Sequence, residues 1–355
     1  MPIIPADSHY MQLPREVLIG KNVAGSVGET LTRLGFSGPA LVVTGPKVMS
    51  IAANVVLDSL KRSNFKSSTI IAENATTAQV TKVQREIKRL SPDIIVGVGG
   101  GKDIDVAKLS SMKSGTRFVS VPTAASHDGI ASPLVSMKGL NRPYSYVAHS
   151  PIAIVADISI IARSPYRLIA SGCGDVVAKY TAVRDWKLAH RIKNEYYGDY
   201  AAELALMSSR LVMRNANTIR AMSDSGVRTL VEALISCGVA MSIAGTSRPC
   251  SGAEHLFSHA LAMIAPKPAL HGEQCGVGTI MCAYLHGANW QVIKDVLRRI
   301  GAPTTAKELG IDPECVVEAL TKAHSIRPER YTILGESGLT KEAAQRVASI
   351  TGVIE

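Results

Sequence analysis

Aromatic residues are scarce in this 355-residue chain, at 5% of the total. Binding single-stranded nucleic acid by stacking needs such rings interleaved with basic residues. The 39 lysines and arginines exceed the 29 acids, for a net charge of +10. They are scattered, however, and form no basic stripe. A nucleic-acid-binding protein is therefore the remote alternative, and an anionic substrate or cofactor steered in by charge explains the excess as well. Cysteine is missing from the first 172 residues, and none of the six (Cys173, Cys237, Cys250, Cys275, Cys282, Cys315) belongs to a C-x-x-C pair. This speaks against a disulfide framework or a thiolate zinc site and fits a reducing compartment. The start, MPIIPADSHYMQLPREVLIG, lacks a basic segment followed by a long apolar run, so no signal peptide is expected and the chain is read as cytoplasmic. The most apolar long stretch, LVEALISCGVAMSIAGTS, carries Glu232 and small polar residues. It reads as a buried helix, and the chain is not expected to be membrane-embedded.

What is present is globular: 46% hydrophobic and 19% charged residues. The length exceeds what one core usually supports, so two domains are expected, at 1–162 and 163–355. The first part alternates. Strands are read at 39–45, 66–73, 93–100, 117–126 and 151–161, with helical periodicity over 47–63, 76–91 and after Lys102. That alternation predicts an α/β fold, a Rossmann-like parallel sheet covered on both faces, with ligands beyond the carboxyl ends of its strands. From about residue 165 strand-like runs give way to long helical periodicities. An all-helical second domain is expected, with the site in the cleft between the two.

The stretch SPDIIVGVGGGKDIDVAKLSS raises a specific question, because three glycines stand between a strand and a helix. Free backbone N–H groups and the helix dipole favour an anion there. The Walker pattern fails, with Val96 and Asp103 where it needs Gly and Ser or Thr. The common dinucleotide pattern begins at Gly97 and Gly99 but meets Lys102 in place of its third glycine. A pyrophosphate site of unusual form is expected, with a ligand-free tight turn as the alternative.

Six of the nine histidines lie in the helical half. His255 and His259 are four apart, on one face of a probable helix, and His271 precedes another. Asp175 follows glycines at a helix start. A carboxylate with imidazoles suits a divalent metal such as zinc, although any one of these histidines is more often structural. Spacing alone favours His255 with His259 as the ligand pair.

Five segments decide between these readings by resemblance. GVGGGKDIDVAK, VPTAASHDGIASP, SGCGDVVAKY, SGAEHLFSHAL and ALHGEQCGVGTIM, in this order over nearly the whole chain, resemble the archaeal glycerol-1-phosphate dehydrogenases, in the superfamily of glycerol dehydrogenase, iron-type alcohol dehydrogenases and 3-dehydroquinate synthase. The resemblance implies reversible NAD(P)-dependent reduction of dihydroxyacetone phosphate to sn-glycerol 1-phosphate, for archaeal ether lipids. It implies that Gly99, Gly100, Gly101, Lys102, Asp103, Ile104 and Asp105 hold the pyrophosphate of NAD(P)H. Thr123, Ala124, Ala125 and Ser126, with Ser132, would line its nicotinamide side. One Zn2+ per subunit would be held by Asp175, His255 and His271, with Asp128, Asp175 and His259 as catalytic and substrate-contacting residues. His259 thus moves from metal to substrate. Without the family, Asp128 would equally be a loop cap.

No acid stands in VVTGPKV, where a ribose 2′-hydroxyl would be gripped, and Lys47 is placed to face a 2′-phosphate. NADPH is accordingly expected to serve at least as well as NADH. Arg142, Arg248 and Lys267 are cations near the site motifs of the kind a phosphorylated small-molecule substrate would need, although any one is more often a solvated surface charge. A homo-oligomer is expected. Glycerol dehydrogenase and a 3-dehydroquinate synthase-like enzyme are the alternatives within the class.

Overall fold

A computed structural model describes residues 11–137 and 146–355. Six parallel strands form one sheet: β1 (Glu16–Gly20), β2 (Ala40–Thr44), β3 (Ser67–Ile71), β4 (Ile94–Gly99), β5 (Arg117–Pro122) and, after a short antiparallel pair β6 (Leu134–Val135) and β7 (Tyr146–Val147), β8 (Ala153–Asp157). Their spatial order is β1-β8-β5-β4-β2-β3. Parallel sheets are buried on both faces, and the alternation of side chains shows it here. Val42, Val96, Val119 and Val155 pack on one side with Val27, Leu31, Val56 and Leu60. Leu41, Val43, Ile95 and Phe118 pack on the other with Val83, Ile87 and Ile104.

Three local features differ from the sequence reading. The strand β1, at a sheet edge, precedes the one taken as first; its EVLIG segment is short and only half-buried, so it has no strong alternation to betray it. The expected strand at 151–161 ends at Asp157, because that carboxylate accepts from Ser159 N (2.9 Å) and turns the chain into the helix Ile158–Ile161. The helix read from residue 47 opens with a π-turn, Met49–Ala53, before its α-helical part, Asn54–Arg62.

Beyond Asp157 the described chain has no strand, and its long helices share one core. Ala125, Ile130, Ile154 and Ala156 belong to the same core, so the sheet and the helices are packed without a break. The helix Asp224–Ala244 is long and apolar enough to cross a membrane by length and composition, with mean hydropathy 1.6, and 72% of that stretch is buried in the protein.

The helices Tyr166–Lys193 and His271–Leu285 cross closely because glycines stand at the contact. A Cβ at Gly272 would collide with the Ser171 carbonyl, one at Gly174 with the Gly272 carbonyl, and one at Gly172 with the Ala125 carbonyl. Gly272→Ala is therefore expected to destabilise the protein by about 1–3 kcal/mol through overpacking, read as a lower midpoint of thermal or denaturant unfolding. An unchanged midpoint would mean that the helices separate at no cost.

Candidate metal and dinucleotide site

Three helices bring four potential ligands to one point. Asp175 is in the third turn of Tyr166–Lys193, His255 is near the start of Ala253–Ile264, and His271 opens His271–Leu285, with Cys275 one turn after it. Their donor atoms all lie within 4.8 Å of one another. The ring of His271 sits 5.1 Å from that of His255, and His255 Nε2 is 3.3 Å from Asp175 Oδ1. The glycine contacts described above make this approach sterically permissible, because they set the spacing of the helices that carry Asp175 and His271.

A surrounding shell orients each member. His255 Nδ1 lies 2.8 Å from Glu254 Oε1, which turns Nε2 toward Asp175. Glu254 is itself buried and accepts from Gly252 N and Thr181 Oγ1, both at 2.7 Å. His271 Nδ1 is 3.1 Å from Ser258 Oγ, while its Nε2 is 3.5 Å from Cys275 Sγ. Asp175 Oδ2 accepts from the backbone N–H of Asp128 (2.8 Å). Lys179, fully buried, donates to Asp175 (2.7 Å) and to Asp128 (2.8 Å).

The electrostatics call for positive charge at the centre. Burial pushes the Asp175 carboxyl up, but Lys179, His255 and His271 outweigh it and hold its pKa well below the ordinary value. Burial likewise presses His255 toward neutrality, yet Cys275, Asp175 and Glu254 hold its pKa well above the usual imidazole value. Burial opposes ionisation of Cys275, and the two imidazoles override it, bringing the thiol down to about 6. A divalent cation supplies the positive charge that protons on the two imidazoles otherwise carry, so the donor set fits a metal. His259 differs. Burial, with His271, His255, Arg327 and Arg330 around it, drives its pKa well below the usual value and leaves a neutral imidazole.

The sequence-predicted residues fall into groups. A cavity of about 350 Å³ is walled by Gly101, Lys102, Asp105, Asp128, Ser132, His255, His259 and His271, and Asp175 adjoins it through His255 and Asp128. Gly99, Gly100 and Asp103 form the turn beside it. Gly99 has φ +154°, a conformation that favours glycine, and a side chain there would strike Asp103. The face of Gly100 is open: a Cβ there would meet nothing within 4 Å. The Asp103 carboxylate is buried against this turn, with Oδ1 lacking a hydrogen-bond partner among the described residues, and burial raises its pKa to about 6. An open glycine at a helix N-terminus fits a dinucleotide's phosphates. Ile104 points into the sheet core, so only its backbone faces the turn. Thr123 N donates to Gly99 O (2.9 Å), while Ala124 and Ala125 are buried and Ser126 O accepts from Ser171 Oγ (3.2 Å).

Other residues were not legible from spacing. Cys275 lies four after His271 and Lys179 four after Asp175, a separation that places each pair on one helix face. Of the suggested phosphate cations, Arg248 is buried against Glu195, with a 2.8 Å bond to Tyr331 O, Lys267 is exposed outside the cavity wall, and Arg142 lies outside the described residues. Arg327, not singled out from sequence, lines the cavity.

Residues 18–165 match the family model described as iron-containing alcohol dehydrogenase. The chain is 57% identical to the glycerol-1-phosphate dehydrogenase [NAD(P)+] of Thermococcus kodakarensis, over 98% of this chain and 99% of that one. It is 58% identical to the enzyme of the same name from Pyrococcus furiosus, over 98% and 100%. Among solved structures, glycerol dehydrogenase from Schizosaccharomyces pombe superposes with a TM-score of 0.80 at 20% identity, covering 97% of this chain and 92% of that one, a likeness of fold.

Lys179 offers a test of the site's electrostatics. Lys179→Met removes the buried cation between two carboxylates and is expected to cost about 3–5 kcal/mol of stability, measured by denaturant unfolding of chelator-treated protein. A loss below about 1 kcal/mol would mean that the pair behaves as a solvated one.

Proposed function

The chain belongs to the glycerol-1-phosphate dehydrogenase family, and on that premise we propose that it is an oxidoreductase that interconverts dihydroxyacetone phosphate and sn-glycerol 1-phosphate with NAD(P)H. One observation carries the reading: Asp175, His255 and His271 converge beside the wall that Gly101 and Lys102 contribute to the same cavity. The product is the glycerophosphate backbone of archaeal ether lipids. The 1–162 and 163–355 segments act as cofactor and metal–substrate domains. The exposed apolar stripe Tyr200, Met207 and Leu211 on one helix face supports a homo-oligomer. None of the six cysteines is paired in this fold, which fits a cytoplasmic enzyme.

Asp175, His255 and His271 would hold one zinc ion per subunit, which would supply Lewis-acid polarisation of the C2 carbonyl. The nicotinamide supplies the hydride. The protein's own part is placement and protons. Backbone groups of Gly99, Gly100 and Gly101 receive the pyrophosphate at the helix N-terminus, with Lys102, Asp103, Ile104 and Asp105 completing that turn. Thr123 to Ser126 and Ser132 bound the nicotinamide side. Lys179 holds the Asp128 carboxylate in place, and Asp128 binds a substrate hydroxyl. The neutral imidazole of His259 holds a substrate hydroxyl or passes a proton to the C2 oxygen. The carbonyl gains a hydride and a proton, and NAD(P)H becomes NAD(P)+. No acid closes the end of β2, and Lys47 is exposed there, which supports acceptance of the 2′-phosphate of NADPH.

Purified protein is expected to oxidise NADPH with dihydroxyacetone phosphate, to lose this activity with a chelator, and to give the sn-1 product on chiral analysis. No oxidation of either nicotinamide cofactor would defeat the reading. The KM for NADPH is expected to be no higher than that for NADH; a strong NADH preference would remove the role given to Lys47. His271→Ala is expected to abolish activity and retained metal, measured by elemental analysis, while cofactor binding, followed by fluorescence, persists.

A further inference from the structure

The cavity wall holds a cationic corner that the metal and dinucleotide readings leave unused. Ser247, Ser251 and Arg327 line it. Ser251 precedes the helix that carries His255 and His259, and Arg327 closes the helix Pro313–Ile326. Behind the two serines stands Arg330, 5% exposed, whose guanidinium donates to Ser251 O (2.6 Å) and Ser247 Oγ (2.7 Å). Among the described residues Arg330 takes no carboxylate partner, whereas its neighbour Arg248 is bound by Glu195. Burial together with Arg327 and Arg248 brings the Arg330 pKa down to about 9. Excess positive charge buried in one corner is unfavourable unless an anion meets it. Arg327 Nε pairs with the Glu329 carboxylate (3.2 Å), which is 60% exposed. His259, the residue assigned to the substrate, lines the same cavity as Arg327, Ser247 and Ser251.

Resting on the reading above, we propose that Arg327, with the Ser247 and Ser251 hydroxyls, binds the phosphate monoester dianion of the substrate, and that Arg330 positions the serine loop from behind. The guanidinium fork suits phosphate oxygens, and the two hydroxyls add donors. His259 then stands between the phosphate corner and the metal-facing carbonyl. Phosphorylated and unphosphorylated ketones would thus be told apart on the helical side of the cavity, away from the glycine turn.

The test compares wild type, Arg327→Met and Arg327→Lys with dihydroxyacetone phosphate and with dihydroxyacetone. The ratio of the two kcat/KM values is expected to fall on the order of 10- to 100-fold in Arg327→Met, chiefly through KM for the phosphorylated ketone, and less in Arg327→Lys. Inorganic phosphate, titrated calorimetrically into the metal-loaded enzyme, is expected to bind Arg327→Met at least roughly 10-fold more weakly. A ratio and a phosphate affinity both close to wild type in Arg327→Met would overturn the proposal. So would a change confined to NADPH against NADH, which would assign the corner to the cofactor's 2′-phosphate. If the wild type fails to reduce dihydroxyacetone phosphate, the activity reading falls, and the phosphate titration still decides whether this corner is an anion site.

Discussion

Lys179 has no solvent exposure and touches two carboxylates, Asp175 on its own helix and Asp128 on the loop after β5. A buried ammonium needs such partners, and each buried carboxylate needs it in return. The contact is therefore more than a local ion pair. It ties the end of the sheet to the first long helix, and the Asp128 N–H closes the link a second time on Asp175 Oδ2. The ligand cluster, the loop that faces the glycine turn and the helical core all meet at this point.

Charge around it is graded by position. Beside Lys179 the cluster of Asp175, His255, His271 and Cys275 has its titration pulled toward ionised acids and cationic imidazoles, so a metal bound there would displace protons from both imidazoles. One turn along the same helix as His255, His259 has its pKa driven well below the usual value by burial, with His271, His255, Arg327 and Arg330 adding to it. Two histidines four residues apart thus differ because His255 has acidic partners in Asp175 and Glu254, whereas His259 has burial and cationic groups acting on it. One cavity is lined by Gly101 and Lys102 of the glycine turn, by His255 and His271, and by Arg327.

The tight helix crossing explains why the glycines near Asp175 and His271 matter. Each removes a side chain from a place where a carbonyl of another segment already stands. Ligands from helices far apart in sequence can then come within bonding range, without any local motif such as two histidines and a glutamate on one helix.

The alternation of strands and helices before residue 160, the helical texture afterwards and the strand–turn–helix setting of Gly99–Gly101 were all legible in the chain itself, because period-2 and period-3.6 patterns and turn glycines are local properties. The edge strand Glu16–Gly20 and the stop at Asp157 were not, since one is too short to show a period and the other depends on a single capping carboxylate. Spacing alone would have joined His255 to His259. Only the crossing of three helices decides that His255 faces Asp175, His271 and Cys275, while His259 stays outside this donor set with its ring 5.7 Å from that of His271. Lys179 and Cys275 each have one near partner four residues back, Asp175 and His271, but their other partners, Asp128 and His255, come from segments distant in sequence.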